Sequence, residues 1–404
     1  MRPIGTTTVR RMTTIWLSVA LAATFALPAA GFARQQARQV ITAGPAPIGP
    51  YSPAIVAGGL VFVSGLLSTD AEGKVVGDDV TAQTRRILDR LKEIFEASGS
   101  SMAQAVSVSV YLENASDAAA FDAVYRTYFR DAPPARLVVV TDLLLGARVE
   151  VSAIGVPKGA ARQVIKPAAW PAPTQPMSYA VRAGDLVFLS GITARRPGTA
   201  AAAGDAAAQI ETVLADVRVL LEAAGIGPEK VVASRIYLGQ LEAFATMNGI
   251  YGKVFPADPP ARATAIASSP EAGSLVTMQM VATTGPREVV GGPVPAGRVL
   301  SPGIRAGRFL FLSGLLGNTA DNATDVAAQT RETLTRIGAS LKTGGYELSD
   351  VADSTVFLPD LTHFAAMNAV YRELFPTAPP ARATIGTPLV VRTGLVEIMV
   401  TAVK

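Results

Sequence analysis

The sequence contains no cysteine and a single histidine, His363, among its 404 residues. Without cysteine there can be no disulfide, no thiolate zinc site and no thiol nucleophile. One histidine cannot supply a metal site or a Ser-His-Asp triad that recurs along the chain. Aromatic residues make up only 6% of the chain and charged residues 17%, whereas 49% are apolar. A chain of this length and apolar content suits two to four domains, each with its own core.

The first 33 residues combine a basic start with a short apolar run. Arg2, Arg10 and Arg11 precede IWLSVALAATFALPAA, and GFA offers small residues before a cut after Ala33. The run is short and is interrupted by proline, which is typical of a secretory signal peptide over 1–33 rather than of a membrane span. We therefore expect an exported, periplasmic or secreted protein with no stable membrane insertion after cleavage. A retained membrane anchor is the alternative.

Little excess charge remains once this leader is removed. The full sequence has 36 Lys and Arg against 32 Asp and Glu, and the leader holds three of the basic residues and no acidic one. The mature chain then has 33 basic and 32 acidic residues. Because nucleic-acid binding needs a clustered basic face, we expect no nucleic-acid partner.

One turn, PPAR, occurs three times and ends at Arg136, Arg262 and Arg382, which are 126 and 120 residues apart. The segments FVSG, FLSG and FLSG recur with nearly the same spacing. A period of this length is the size of a whole small domain. We predict three tandem domains over residues 40–158, 163–286 and 287–404, called repeats 1, 2 and 3. The connecting segments PKGAARQVIKPAAWPAPTQP and GPREVVGGPVPAG are rich in proline and glycine, as linkers are.

The local pattern of repeat 1 predicts its secondary structure. AIVAGGLVFVSG indicates two short strands around a Gly-Gly turn, and VTAQTRRILDRLKEIFEASG has apolar residues at helical spacing. AVSVSVYLE alternates as a strand does, and SDAAAFDAVYRTYF indicates a second helix that Pro133 ends. RLVVV and ARVEVSAIGV complete the order ββαβαββ. This is an α+β domain with its helices on one face of the sheet.

The motifs IGPYSPA, LVFVSG, MNAVY, PPARAT and GLVEIMVTAV resemble the successive signatures of the RidA/YjgF family. The resemblance covers nearly all of the chain after the leader, in three copies. It implies a chorismate-mutase-like fold that forms trimers with ligand clefts between subunits. For this chain it implies an intramolecular pseudo-trimer, a monomer with three pseudo-symmetric domains. It also implies an enzyme that hydrolyses small enamine and imine acids of the 2-aminoacrylate or 2-iminopropanoate type to 2-oxo acids and ammonia, with no cofactor and no metal.

The residue types fit that chemistry. The substrate class carries a carboxylate, which an arginine can hold with two hydrogen bonds, and each candidate arginine follows a rigid Pro-Pro-Ala turn. A glutamate can orient and deprotonate a water molecule. Glu150 and Glu397 stand where the family places its glutamate, with an ion pair to a neighbouring domain as the alternative. The other candidates for substrate contact are Tyr51, Ser64, Ser313, Tyr125, Tyr371 and Asn368, with core packing as the alternative for the helical tyrosines Tyr125 and Tyr371.

The three copies differ at these positions. Repeat 2 has Thr277 at the glutamate position and Met177 where repeat 1 has Tyr51, so its site is expected to be degenerate. Repeat 1 has Asp122 where the family has asparagine, and an acid there would repel a carboxylate.

The order of the motifs along the chain predicts a ranking of the three sites. Arg382, with Glu397 in its own repeat, ranks first, Arg136 with Asp122 beside it second, and Arg262, with no glutamate at that position of its repeat, last. The alternative is that each cleft borrows residues from the neighbouring repeat, so that a glutamate of repeat 3 serves another arginine. The alternative function is a non-catalytic protein that binds small carboxylates in the same clefts. Ribonuclease activity, which some members of the family are labelled with, is less favoured because the mature chain is near neutral.

Overall fold

The computed structural model describes Gly5 and residues 38–44, 46–195, 202 and 204–404. The predicted signal peptide lies outside the described residues, Gly5 excepted. Repeat 1 contains β1 (Gln39–Ile41), β2 (Ala54–Ala57), β3 (Leu60–Leu66), α1 (Val80–Ala97), β4 (Ala105–Leu112), α2 (Ala118–Tyr128), β5 (Ala135–Val140) and β6 (Val149–Gly155). These strands form a sheet in the order β1-β2-β3-β6-β4-β5, in which β4 and β5 are parallel and the other neighbours antiparallel.

Repeats 2 and 3 build the same sheet, with the end of the third strand separated as a two-residue strand, β10 or β17. Repeat 2 contains β7 (Arg162–Ile165), β8 (Ala180–Ala183), β9 (Leu186–Leu189), β10 (Ile192–Thr193), α3 (Ala206–Ala223), β11 (Val231–Leu238), α4 (Ala243–Val254), β12 (Ala261–Ile266) and β13 (Val276–Thr283). Repeat 3 contains β14 (Glu288–Val289), β15 (Gly303–Ala306), β16 (Phe309–Leu312), β17 (Leu315–Leu316), α5 (Val326–Thr343), β18 (Val351–Leu358), α6 (Phe364–Leu374), β19 (Ala381–Gly386) and β20 (Glu397–Val403).

The α+β class and the predicted order ββαβαββ are confirmed, with one addition. Each repeat begins with a further short strand, β1, β7 or β14, which pairs with the next strand along the chain. Two of these strands lie in the segments that were interpreted as linkers. The segments are therefore not wholly irregular, because the linker ends add an edge strand to the sheet that follows.

The long helix of each repeat begins at an aspartate. Asp79 accepts a hydrogen bond from the backbone N of Ala82 at 2.7 Å, and Asp205 and Asp325 cap α3 and α5 in the same way. Such a cap satisfies one of the unpaired N–H groups in the first helical turn. In α1 the residues Ile87 and Leu91, four apart on one face, are wholly buried against the sheet.

The two faces of each sheet bury against different partners. On β4, Val108 and Val110 pack with α1 and α2, whereas Tyr111 points to the other face and joins a core that all three repeats share. Tyr237 and Phe357 occupy the matching positions of β11 and β18 in the same shared core. Because side chains alternate along a strand, each central strand contributes to both cores.

The repeats contact one another in one cyclic order. The backbone N of each PPAR arginine donates to a serine Oγ of the next repeat, and the third repeat contacts the first. These bonds are Arg136 to Ser190 at 2.7 Å, Arg262 to Ser313 at 2.8 Å and Arg382 to Ser64 at 2.8 Å. The carbonyls of the Pro-Pro pair accept further hydrogen bonds from Ser178, Ser301 and Ser52 of the same next repeats. The recurring turn therefore holds the junctions between repeats.

A second set of arginines also forms hydrogen bonds across the junctions between repeats. Arg38, Arg162 and Arg287 precede or begin the first strand of repeats 1, 2 and 3 and donate backward to two backbone carbonyls of the preceding repeat in the cycle. For Arg38 these acceptors are Val351 O at 3.1 Å and Ala378 O at 2.7 Å. Ala378 precedes the Pro-Pro pair with a φ of 47°, in the left-handed region that is unfavourable for a residue with a side chain. The arginine therefore stabilises a strained turn.

No helix within the described part of the chain is long and apolar enough to cross a membrane.

Candidate active site

Each PPAR arginine is the second residue of a strand at the edge of its sheet, β5, β12 or β19. Each is almost wholly buried. Because the next repeat covers this edge, each arginine lies in a cleft between two repeats. We name these clefts by their repeats: the 1–2 cleft with Arg136, the 2–3 cleft with Arg262 and the 3–1 cleft with Arg382.

The serines that were predicted to bind substrate hold these junctions together. Ser64 accepts from Arg382 N and donates to Ser52 O at 2.6 Å, and it is 1% exposed. Ser313 accepts from Arg262 N and donates to Ser301 O at 2.6 Å. A serine hydroxyl has one proton to donate, and here a backbone carbonyl receives it. The structure therefore places Ser64 and Ser313 as positioning residues beneath the clefts.

The glycine after each of these serines gives the glutamate its room. A Cβ built on Gly65 would lie 1.9 Å from Glu150 Oε1, and one built on Gly314 would lie 1.9 Å from Glu397 Oε1. No side chain fits at either position without displacing the carboxyl group. The Ser-Gly pair therefore sets both the junction and the location of the acid.

The pairing of arginines with glutamates differs from the one predicted. Glu150 of repeat 1 interacts electrostatically with Arg382 of repeat 3, and Glu397 of repeat 3 interacts with Arg262 of repeat 2. The prediction that Arg382 shares a site with Glu397 was wrong, and so was the prediction that Arg262 lacks a glutamate. The alternative, in which a glutamate of repeat 3 serves an arginine of another repeat, is confirmed. Arg136 faces Thr277, the residue that stands at the glutamate position of repeat 2.

Both glutamates have carboxyl groups with strongly raised pKa values. Burial raises the pKa of Glu150 to about 8, opposed in part by the Arg382 charge and by a hydrogen bond from the backbone of Thr384. Burial likewise raises the pKa of Glu397 to about 8, opposed by the Arg262 charge. Glu150 is 2% exposed and Glu397 4%. At neutral pH each carboxyl group is therefore protonated in most molecules. It can donate this proton and, once ionised, accept another.

In the 3–1 cleft the Arg382 guanidinium is surrounded by aromatic rings. Its Cζ lies 4.7 Å from the centre of the Tyr371 ring, 5.1 Å from that of Tyr51 and 5.7 Å from that of Phe364. One Nη donates to Asn368 Oδ1 at 2.7 Å, whereas Nε has no hydrogen-bond partner among the described residues. The predicted Tyr51 and Asn368 thus both contact Arg382, from opposite sides of the junction.

The 2–3 cleft repeats this arrangement with one difference. Arg262 donates to Asn248 Oδ1 at 2.8 Å, and its Cζ lies 5.0 Å from the Tyr251 ring centre. In sequence Leu300 stands where repeat 1 has Tyr51, and Tyr251 is the only ring among the described residues that lies over Arg262. The cation of this cleft is accordingly held by fewer aromatic contacts.

The helical tyrosines lie on the buried side of the guanidinium groups. Tyr125 and Tyr371 have no exposed surface, and the Tyr125 ring centre lies 5.0 Å from Arg136 Cζ. The Tyr371 hydroxyl is 2.9 Å from Ser354 Oγ, which fixes the ring from below. These two residues were candidates for substrate contact. The structure places them as supports for the arginines, in line with the core-packing alternative.

Two threonines of the same clefts were not among the predicted site residues. Thr384 and Thr264 follow their arginines by two residues, and each has a buried hydroxyl with no hydrogen-bond partner among the described residues. Repeat 1 has Val138 at this position. The signal was present in the letters, since PPARAT occurs twice and PPARLV once. The two clefts with a glutamate are the two with this threonine.

The 1–2 cleft has different chemistry. Arg136 donates to both oxygens of Asp122, at 2.5 and 3.4 Å, so that its charge is already paired. Thr277 replaces the glutamate and Val138 the threonine. The cavity measures about 270 Å³. The expectation that Asp122 weakens this site is consistent with the observed ion pair.

Comparison with known proteins agrees with this description. The sequence model of one family, described as endoribonuclease L-PSP, matches residues 41–156, 168–284 and 293–404. The chain belongs to this family. It contains three copies of the family domain in tandem, each with the chorismate-mutase-like fold of the RidA proteins.

Three similar proteins have about the length of one repeat. A RutC family protein of Pyrococcus horikoshii is 41% identical over 112 residues, which are 27% of this chain and 89% of the relative. A goat (Capra hircus) protein named 2-iminobutanoate/2-iminopropanoate deaminase is 36% identical over 123 residues, 30% of this chain and 90% of the relative. The crystal structure of RidA from an Antarctic Psychrobacter covers 30% of this chain and 98% of its own, with 34% identity and a TM-score of 0.28.

Proposed function

We propose that the chain catalyses the hydrolytic deamination of small enamine and imine acids at its 3–1 and 2–3 clefts, without a cofactor. The observation that carries the proposal is the pairing of a buried arginine with a buried glutamate from the next repeat, whose pKa is raised to about 8. A relative named 2-iminobutanoate/2-iminopropanoate deaminase supports the same reaction class.

The arginine binds the substrate carboxylate. Arg382 Nε has no hydrogen-bond partner among the described residues, and the Nη that contacts Met367 Sδ at 3.8 Å makes only a weak hydrogen bond there. These N–H groups, although buried, therefore retain hydrogen-bonding capacity for a carboxylate, and Asn368 fixes the remaining Nη. Burial strengthens the charge-assisted hydrogen bonds because little water competes for them.

The glutamate exchanges protons with the reacting carbons and with water. In the first step the protonated Glu150 or Glu397 gives its proton to the methylene carbon of a 2-aminoacrylate, which becomes 2-iminiopropanoate while the glutamate becomes a carboxylate. In the second step that carboxylate takes a proton from water as the oxygen bonds to the imine carbon, which forms a carbinolamine. The C–N bond then breaks, the hydroxyl proton moves to nitrogen, and pyruvate and ammonia leave.

A pKa near 8 suits this cycle because the same group serves as acid and then as base near neutral pH. A carboxyl group with an ordinary pKa would hold too little of the protonated form for the first step. The glutamate ends the cycle protonated, as it began, and no redox partner is needed.

The deciding experiment uses the mature protein and 2-aminoacrylate generated in the assay by a serine dehydratase, with spontaneous hydrolysis subtracted. Glu150→Gln and Glu397→Gln should each leave about half of the turnover, because the other cleft still works. The double variant should lose roughly 100-fold or more, the typical contribution of general acid–base catalysis. Glu96→Gln, an exposed glutamate on α1 paired with Lys92, is the matched control.

Undiminished turnover in the double variant would refute the proposal. Binding of small carboxylates by the wild-type protein without any turnover would assign the clefts to binding alone. Cleavage of an added RNA, lost in the same double variant, would instead assign them to the ribonuclease function that the family description names.

A further inference from the structure

The 1–2 cleft has a charge arrangement that suits a different ligand. Its walls carry two carboxylates, Asp122 from α2 of repeat 1 and Glu271 from the loop between β12 and β13 of repeat 2. The position of Asp122 is taken by neutral Asn248 and Asn368 in the other repeats. The cavity is also roomy, at about 270 Å³.

Arg136 does not offer a free cation to this cavity. Its two terminal nitrogens both donate to Asp122, and its side chain is only 3% exposed, whereas that of Asp122 is 23% exposed. In the other two clefts the matching arginine donates one Nη to a neutral asparagine and keeps its full charge. An incoming carboxylate would have to displace Asp122 or lie beside it, and like charges in a buried site repel strongly.

Glu271 is held in place at the opposite wall. Its carboxylate accepts from Gln175 Nε2 at 2.6 Å and from Thr193 Oγ1 at 2.5 Å, and it lies 3.9 Å from Arg195. Among the described residues, the four charged side chains that line the cavity, two acidic and two basic, have a net charge of zero. Each carboxylate has about four positions for hydrogen-bond donors, of which these contacts use only part.

We infer that the 1–2 cleft binds an uncharged polar ligand that donates hydrogen bonds, with a primary amide as the simplest chemical class, and that Asp122 excludes small carboxylates from it. Asp122 and Glu271 accept from the ligand, and the charge balance of the cavity is preserved when the ligand is neutral. This inference concerns a cleft without the catalytic glutamate and does not depend on deamination at the other two.

Each cleft contains one methionine that can report on it separately. Met177 lines the 1–2 cavity, Met247 Sδ lies 3.8 Å from Arg262 and Met367 Sδ lies 3.8 Å from Arg382. The full sequence has nine methionines, so that methyl-¹³C-methionine NMR spectra are simple, and Met→Leu substitutions assign the signals.

The test compares two molecules of nearly equal shape, propanoate and propanamide, each titrated into the labelled mature protein with all three repeats. Propanamide should shift the Met177 signal, and propanoate should not. Propanoate should shift Met247 and Met367. Asp122→Asn should reverse the preference at Met177, with propanoate binding gained by at least about tenfold, the usual effect of a charged hydrogen bond. Asn248→Asp is the matched control and should abolish the propanoate response at Met247 alone.

Asparagine occupies this helix position in the other two repeats, so the Asp122→Asn protein is expected to fold. A propanoate response at Met177 in the wild type as strong as at Met247, or no response of Met177 to propanamide, would overturn the inference. A response of Met177 to propanamide together with silent Met247 and Met367 signals in propanoate would uphold it and count against the proposed function.

Discussion

Glu150 and Arg382 are 232 positions apart in the sequence and face each other across the junction between repeat 3 and repeat 1. The Arg382 backbone is bound to Ser64, and the Glu150 carboxyl lies against Gly65, the next residue. Each glutamate cleft is thus shared by two repeats, and no repeat contains a complete one.

This pairing predicts which double variants lose one cleft and which lose both. Glu150→Gln with Arg382→Lys affects the 3–1 cleft twice and should leave about half of the wild-type turnover. Glu150→Gln with Arg262→Lys affects both clefts and should leave only a few per cent. Lysine cannot reproduce the planar fork of arginine, and each lost charged contact costs about 1.5–3 kcal/mol. Steady-state rates of 2-aminoacrylate hydrolysis distinguish the two. If the first pair were the more damaging, the pairing would be wrong.

The raised pKa values predict how stability depends on pH. The folded-state pKa of Glu150 and Glu397 is about 8, above the ordinary value of 4.5. The folded state therefore binds more protons than the unfolded state between these values, and the stability contributed by the protonated carboxyls is lost as pH rises toward 8. The melting temperature of the wild type should fall between pH 5 and 8 more steeply than that of Glu150→Gln/Glu397→Gln. Parallel curves for the two proteins would contradict the pKa shifts.

The mature protein is predicted to be a monomer, the pseudo-trimer expected from the sequence. Short linkers keep the repeats at high effective concentration, which favours junctions within one chain over junctions between chains. Light scattering after size-exclusion chromatography should give the mass of a single chain at micromolar concentration. A mass of three chains would mean that the repeats assemble between molecules.

Arg38 is predicted to stabilise the junction between repeats 3 and 1. Arg38→Ala removes two hydrogen bonds from a charged donor to Val351 and Ala378, and the free energy of unfolding should fall by about 1.5–3 kcal/mol. Arg218→Ala, at an exposed position on α3, should change it by less than about 0.5 kcal/mol. The free energies of unfolding are measured by urea denaturation of the two variants. Equal urea midpoints would show that Arg38 does not stabilise the junction.

Export with cleavage after Ala33 stays a prediction, because residues 1–33 are not described apart from Gly5. The intact mass of protein recovered outside the cytoplasm should be that of a chain that begins at Arg34. Recovery from the cytoplasm with Met1 retained would show that the basic and apolar leader is not a signal peptide.

The sequence predicted the repeats and most elements because their signals are local: helical spacing, strand alternation and a turn that recurs every 120 to 126 residues. It could not predict the pairing of Glu397. That residue follows Arg382 by 15 positions, yet β18 lies between β19 and β20 in the sheet. Neighbouring strands are about 4.8 Å apart, so the two side chains of one repeat are separated by a whole strand. Arg382, on the edge strand β19, instead faces Glu150 on β6, an interior strand of the next repeat.

The order in which a ribosome makes the chain gives the last strands a particular importance. Residues 381–404 carry both Arg382, the cation of the 3–1 cleft, and Glu397, the acid of the 2–3 cleft. Until they are synthesised, Ser64 lacks the hydrogen bond from Arg382 N, and neither glutamate cleft exists. A premature stop codon before β19 would therefore remove both clefts at once and leave only the 1–2 cleft, although nine-tenths of the polypeptide would have been translated.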